Sequence, residues 1–169
     1  FNGTDNFINS TLVQTGVTNY TIEAWVKTRA NQGVIINNRG AEAGMSITLA
    51  IGPLCSTTRG AYCTGSAAGI PAMGLDSNGI WIGTNGLTAV NDGRWHHIAG
   101  VFNTTSGNSV TPASFRIYVD GQLEAGNAGV IGTATSPLTG ANETRIGWHR
   151  PWLIYFNGTI DELAIHNRT

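Results

Sequence analysis

The chain has 169 residues, nine Lys and Arg against ten Asp and Glu, and a formal net charge of −1. Phosphate backbones reward a dense Lys/Arg footprint, and a chain with Lys27 as its one lysine offers none, so nucleic-acid partners are not expected. No apolar run approaches the roughly 18–20 residues that a membrane-spanning helix needs, so no span is expected either.

Helix-forming residues on a 3.6-residue period are scarce, whereas β-branched and aromatic residues recur in short runs between Gly/Asn/Asp clusters. That pattern predicts an all-β chain, and the length suits one domain over residues 1–169 with a two-layer core. No basic-then-apolar leader opens the sequence, and Phe1 already reads as strand, as in a module of a larger multidomain secreted or surface protein.

In chain order, Tyr20–Lys27 alternates, sending Ile22, Ala24 and Val26 to one face and Glu23, Trp25 and Lys27 to the other. Gly33–Asn37 and Met45–Ile51 follow. Residues 52–71 are rich in Gly, Ser, Thr and Pro and read as an inserted surface loop. Its cysteines, Cys55 and Cys63, lack the further Cys or His of a zinc site. A disulfide closing a short loop in an oxidising compartment is the favoured reading, two free thiols the alternative.

Ile80–Gly83 is a short strand, and Arg94–Phe102 and Phe115–Asp120 are the clearest strands of all. Asp120-Gly121 before Gln122–Glu124 predicts a tight I′ hairpin, because both central residues need positive φ. Asn91-Asp92-Gly93 is a second turn of this chemistry. The chain closes with Thr144–Gly147 and Tyr155–His166. Strands at this spacing without helices imply a sandwich or barrel.

Five segments carry a family resemblance: FNGTDNFI, YTIEAWVK, NDGRWHHIAGVF with FRIYVDGQL, TRIGW, and YFNGTIDELAIHNR. In this order the chain resembles the laminin G-like, concanavalin A-like lectin/glucanase superfamily in its bacterial form. The resemblance implies a two-sheet antiparallel β-sandwich (a jelly roll) with the first and last strands side by side. It also implies a structural Ca²⁺, with Asp161 as carboxylate and Gly3 or Gly40 supplying carbonyls. The alternative is that Asp161 accepts N–H bonds from the N-terminal turn. Retaining glycosidases of this general fold carry Glu-x-Asp-x-Glu or Glu-x-Asp-x-x-Glu, which is absent here. Asp161 and Glu162 are adjacent, so on a regular strand they face opposite sides. A non-catalytic module is therefore expected.

Several tempting residues read as structure. His96 and His97 point in opposite directions along a strand and cannot chelate one ion, so packing and hydrogen bonding are expected of them. Trp25 and Trp95 are expected in the core. Seven Asn-x-Ser/Thr sequons, from Asn2 to Asn167, are assigned no function.

Sugar recognition needs an aromatic ring with polar neighbours, and the segment Trp148, His149, Arg150, Pro151 and Trp152 falls where a loop is expected. The alternative is that its rings fold back over the end of the sandwich. Arg59 and Tyr62 could form an opposite wall, with Asn37, Asn38 and Arg39 as donors at a strand end. The expected function is an extracellular carbohydrate-binding or adhesive module for a glycan or cell-surface ligand. Alternatives are a protein-interaction or spacer domain and, less favoured, a glycosidase or lyase.

Overall fold

The computed structural model describes residues 1–12, 19–40, 46–56, 62–63, 66–77, 80–104, 110–124, 128–131, 141–149 and 153–167. Strands are numbered β1 to β16 along the chain. One sheet has seven antiparallel strands in the order β1 (Ile8–Ser10), β13 (Ala141–Ile146), β3 (Gly33–Gly40), β4 (Ser46–Ile51), β7 (Pro71–Ser77), β8 (Ile80–Asn85) and β12 (Ala128–Ile131). The other has five, in the order β11 (Gln122–Glu124), β10 (Phe115–Val119), β9 (Trp95–Asn103), β2 (Asn19–Lys27) and β16 (Thr159–His166). Among the described residues there are also two small ladders, β5 (Cys55–Ser56) with β6 (Tyr62–Cys63) and β14 (Trp148–His149) with β15 (Ile154–Tyr155), and a 3-10 turn at Pro112–Ser114. The two-sheet antiparallel sandwich is the architecture the sequence predicts.

Alternation builds the core. Ile22, Ala24 and Val26 of β2, Ile98 and Phe102 of β9, and Ile117 and Val119 of β10 face Ile36, Ile47, Leu49, Met73, Leu75 and Ile82 of the larger sheet. Each such side chain contributes about 1.5–3 kcal/mol when taken out of water. The sheets approach closely at Gly100, where an added Cβ would lie 2.3 Å from Met73 Sδ. The hairpin after β10 closes with Asp120 at φ 50° and Gly121 at φ 79°, as the Asp-Gly dipeptide requires.

The outward face of the seven-stranded sheet is also covered. Val34 of β3 and Ala50 of β4 pack with Leu54 and with Ile154 of β15 in a second apolar cluster. Ile82 faces the core, so Trp81 points outward, yet it is 1% exposed. Residues 52–71, expected as a surface loop, therefore include packing elements: Leu54, Ser66 and Pro71 are buried, and β6 lies beside β8.

The strand pairing at the termini differs from what the resemblance implied. β1 pairs with β13 and β16 with β2, so the first and last strands belong to different sheets. The N-terminus instead meets the segment that leads into β16, through an Asn2–Asn157 bridge and the Phe1 amino group, which donates to Gly158 O at 2.9 Å.

Candidate functional site

The outward face of the five-stranded sheet is open. On β2 the buried residues Ala24 and Val26 alternate with Glu23, Trp25 and Lys27, and Trp25 is 38% exposed. On β9 the same face carries Trp95, His97, Ala99 and Val101, with Trp95 42% exposed. The expectation that these two tryptophans are core is corrected. Both lie on the polar-side register of their strands, and no chain among the described residues covers them.

Register fixes their neighbours. Trp25 stands opposite His97 on one side and Asp161 on the other, and Lys27 stands between Trp95 and Thr159. The two indoles are thus diagonal partners, positions roughly 7–8 Å apart in such pairs and within reach of aromatic side chains. The His97 ring rests against Trp25, with centroids 5.3 Å apart and planes at 57°. Its Nε2 lies 3.4 Å from Glu23 Oε2, and His166 Nε2 lies 2.8 Å from Glu23 Oε1. Glu23 therefore bridges two imidazoles and fixes the ring beside Trp25.

Across the other edge, β16 carries a bulge. Between the pairs Asp161–Trp25 and Ala164–Glu23, β16 has two residues where β2 has one, and Glu162 adopts φ 48°. Alternation is broken there. Asp161 and Glu162, expected on opposite faces, are both exposed and line one depression with Trp25 and Trp95, of about 430 Å³. Beyond Trp95 a second depression of about 450 Å³ is lined by Lys27, Arg29 and Asn157 among others.

His96 points the other way and closes the end of the sheet. Its Nδ1 lies 2.9 Å from Asp120 Oδ2 and its Nε2 3.2 Å from Asp92 Oδ1, tying the 91–93 turn to the hairpin turn. As an imidazolium it donates from both nitrogens. Burial opposes that charge, but the bonds to Asp120 and Asp92 outweigh it and raise the His96 pKa above its ordinary value. Asp120 is correspondingly lowered against its own desolvation, by His96 and by the N–H of His97. Packing and hydrogen bonding thus account for both histidines.

Trp148 is not a loop residue but the first residue of β14. Its ring stacks on Tyr155 at 5.6 Å and 13°, Phe7 lies 4.5 Å away, and Arg145 Cζ sits 4.6 Å from its centroid. Protein groups thus pack against the ring, the fold-back alternative for this tryptophan. His149 is fully buried. Arg150 and Trp152 lie outside the described residues, as does Arg59. The Tyr62 and Arg39 backbones are on β6 and β3, but their side chains are not described.

Asn38, expected as a rim donor, is 3% exposed and faces the core on β3, opposite Ile47 and Thr144. Asn37 is buried on the other face, where its Nδ2 donates to Thr48 Oγ1 at 2.7 Å. Strand β3 runs on to Gly40, so neither asparagine stands at its end.

The calcium ligands expected from the resemblance are dispersed. Asp161 faces outward on the five-stranded sheet, whereas Gly40 pairs with Ala141 in the other sheet. Gly3 sits beside Asn157, four extended residues or about 13 Å along the chain from Asp161. Asp161 Oδ1 accepts the N–H of Glu162, not of the N-terminal turn. Among the described residues no three His, Cys, Asp or Glu side chains group to hold a metal ion. The expected set does not fit one ion.

A signal for the open face was present in the sequence: Trp25 stands between Glu23 and Lys27 on the polar side of an alternating strand. The bulge at Glu162 has no comparable signature.

Residues 2–169 match the family model described as Concanavalin A-like lectin/glucanases superfamily. No curated protein matches the sequence. Among solved structures, mouse laminin α1 chain domains LG4-5 superpose with TM-score 0.65 at 16% identity, covering 99% of this chain and 40% of that one. The chain therefore spans well under half of that laminin fragment. The SAP-like pentraxin of Limulus polyphemus gives TM-score 0.60 at 15% identity, covering 100% of this chain and 75% of the pentraxin. The CBM40 of the Ruminococcus gnavus IT-sialidase, bound to α2,3-sialyllactose, gives 0.55 at 14% identity, covering 90% and 78%.

Proposed function

Because the chain belongs to the Concanavalin A-like lectin/glucanases superfamily over residues 2–169, we propose that it is a recognition module whose open five-stranded face binds carbohydrate. The observation that carries this reading is the pair of exposed indoles, Trp25 and Trp95, beside two carboxylates with no cationic partner among the described residues. A pyranose has an apolar face that stacks on an indole and a hydroxyl rim that bonds to polar neighbours. Two tryptophans exposed side by side are otherwise an unfavourable use of surface. The sialidase module that shares the fold is itself bound to a glycan.

Glycan-array binding by the intact chain tests the reading. Trp25→Ala and Trp95→Ala should each abolish the signal with little change in melting temperature. Binding confined to protein partners would favour an interaction or spacer domain instead.

The bulge favours a second reading, a glycoside hydrolase, because it brings Asp161 and Glu162 to one face. They lie side by side on one strand of an open depression, not across a cleft, so holding is the better-supported role. Release of reducing ends from a bound polysaccharide, lost on Asp161→Asn or Glu162→Gln, would replace the binding reading.

We also propose a Cys55–Cys63 disulfide and, with it, an extracellular setting. The two residues stand directly opposite each other across the β5–β6 ladder. Cα atoms in either kind of antiparallel pair are about 4.5–5.5 Å apart, within disulfide range. Intact mass with and without reductant, after thiol alkylation, decides between a bridge and two thiols. No helix among the described residues is long and apolar enough to cross a membrane.

A further inference from the structure

The charge in the depression narrows the ligand class. Its walls among the described residues are Trp25, Trp95, Asp161 and Glu162: two indole faces, two carboxylates and no basic side chain. Neither carboxylate has a cationic partner among the described residues, since Glu23 takes His97 and His166, and Asp92 takes Arg94 and His96. Lys27, on the strand beside β16 and diagonal to Asp161 on this face, lines the separate depression with Arg29 and forms no ion pair with Asp161 among the described residues. Asp161 accepts one backbone N–H, and Glu162 is held outward by the positive φ of the bulge.

From this arrangement we infer that the depression takes an amino sugar bearing a protonated amine, such as a glucosamine oligomer. The inference rests on the carbohydrate reading and specifies it. The sugar ring stacks on Trp25, and its ammonium lies over an indole face within reach of both carboxylates. An ammonium is attracted by the negative face of an indole and by each carboxylate, while an N-acetyl group offers neither attraction. An anionic sugar would meet two like charges and is disfavoured for the same reason.

The test is titration calorimetry on the intact chain with three probes: the glucosamine tetramer, its N-acetylated counterpart, and the neutral glucose tetramer cellotetraose. The amine should bind about five- to tenfold more tightly than either neutral probe, from one exposed cation–π contact and two screened ion pairs. That preference should shrink in concentrated salt, which screens exposed charges. The double variant Asp161→Asn, Glu162→Gln should keep only the about two- to threefold preference owed to the cation–π contact and should lose its salt dependence. Both positions are exposed, and a melting curve confirms that the variant is folded.

Equal binding of the amine and neutral probes by the wild-type chain would overturn the amine inference and leave the carbohydrate reading intact. A five- to tenfold amine preference that survives undiminished in the double variant would overturn it as well. Failure to bind any saccharide, or binding untouched by Trp25→Ala, would sink the carbohydrate reading and the inference together.

Discussion

On the seven-stranded sheet the outward-pointing Val34, Ala50 and Trp81 are buried, while on the five-stranded sheet the outward-pointing Trp25 and Trp95 stand in solvent. Strand alternation is the same on both. The difference lies in what the chain does between strands. Leu54 and Ile154, on segments outside the main sheets, pack over the first face, and no described segment returns over the second. An aromatic residue on a strand is therefore a core residue or a binding platform according to a cover that its own strand does not encode.

Truncation of Trp81 should separate the two faces most sharply. Trp81→Ala removes a ring that is 1% exposed, with an expected loss of about 3–5 kcal/mol. In a chain of this size that lowers Tm by on the order of 10 °C. A loss below 1 kcal/mol would mean that the outer face of the larger sheet is not a packed layer.

Trp148→Ala is the intermediate case. The ring is half-buried between Tyr155, Phe7 and Arg145, and its loss should cost about 2 kcal/mol by thermal melting. Unchanged glycan binding in this variant would keep recognition on the opposite face, whereas lost binding at full stability would move it to the β14–β15 hairpin.

The His96 clamp should give stability a plateau in pH. The raised imidazole pKa stabilises the fold fully below 6.5, its ordinary value, and that contribution is lost as pH rises through the raised one. The lowered Asp120 and Asp92 values stabilise it fully above 3.8 and are lost as pH falls through them. The Tm should therefore be highest between these limits. His96→Gln should remove the alkaline shoulder and only reduce the acid one, since the N–H groups of Arg94 and His97 still bond to Asp92 and Asp120. An unaltered profile would assign the pH response to other groups.

Trp25→Ala should have the smallest effect on stability, within about 0.5 kcal/mol for a surface position. If chemical denaturation shows a loss comparable to that of Trp81→Ala, the open face is covered in solution and the contrast between the sheets disappears.

Much of the sandwich was legible because period-two alternation and turn chemistry are local. Tyr20–Lys27 and the Asp120-Gly121 hairpin announce themselves in five to ten residues, and Ile98, Gly100 and Phe102 fall on the core side as their spacing requires. The β14–β15 hairpin was not legible, since two-residue strands leave no period to read. Asn37 and Asn38 misled because a polar pair resembles a strand end, whereas here hydrogen bonding and burial hold both within β3.

By itself the sequence determined the fold class, the faces of its long strands, its main turns and its family, because each depends on neighbours a few residues away. The tertiary structure alone decided which outward face is covered and which tryptophans meet solvent. It also placed Asp161 and Glu162 together. Those outcomes depend on contacts between segments far apart in the chain and on one extra residue in β16, and neither leaves a periodic trace.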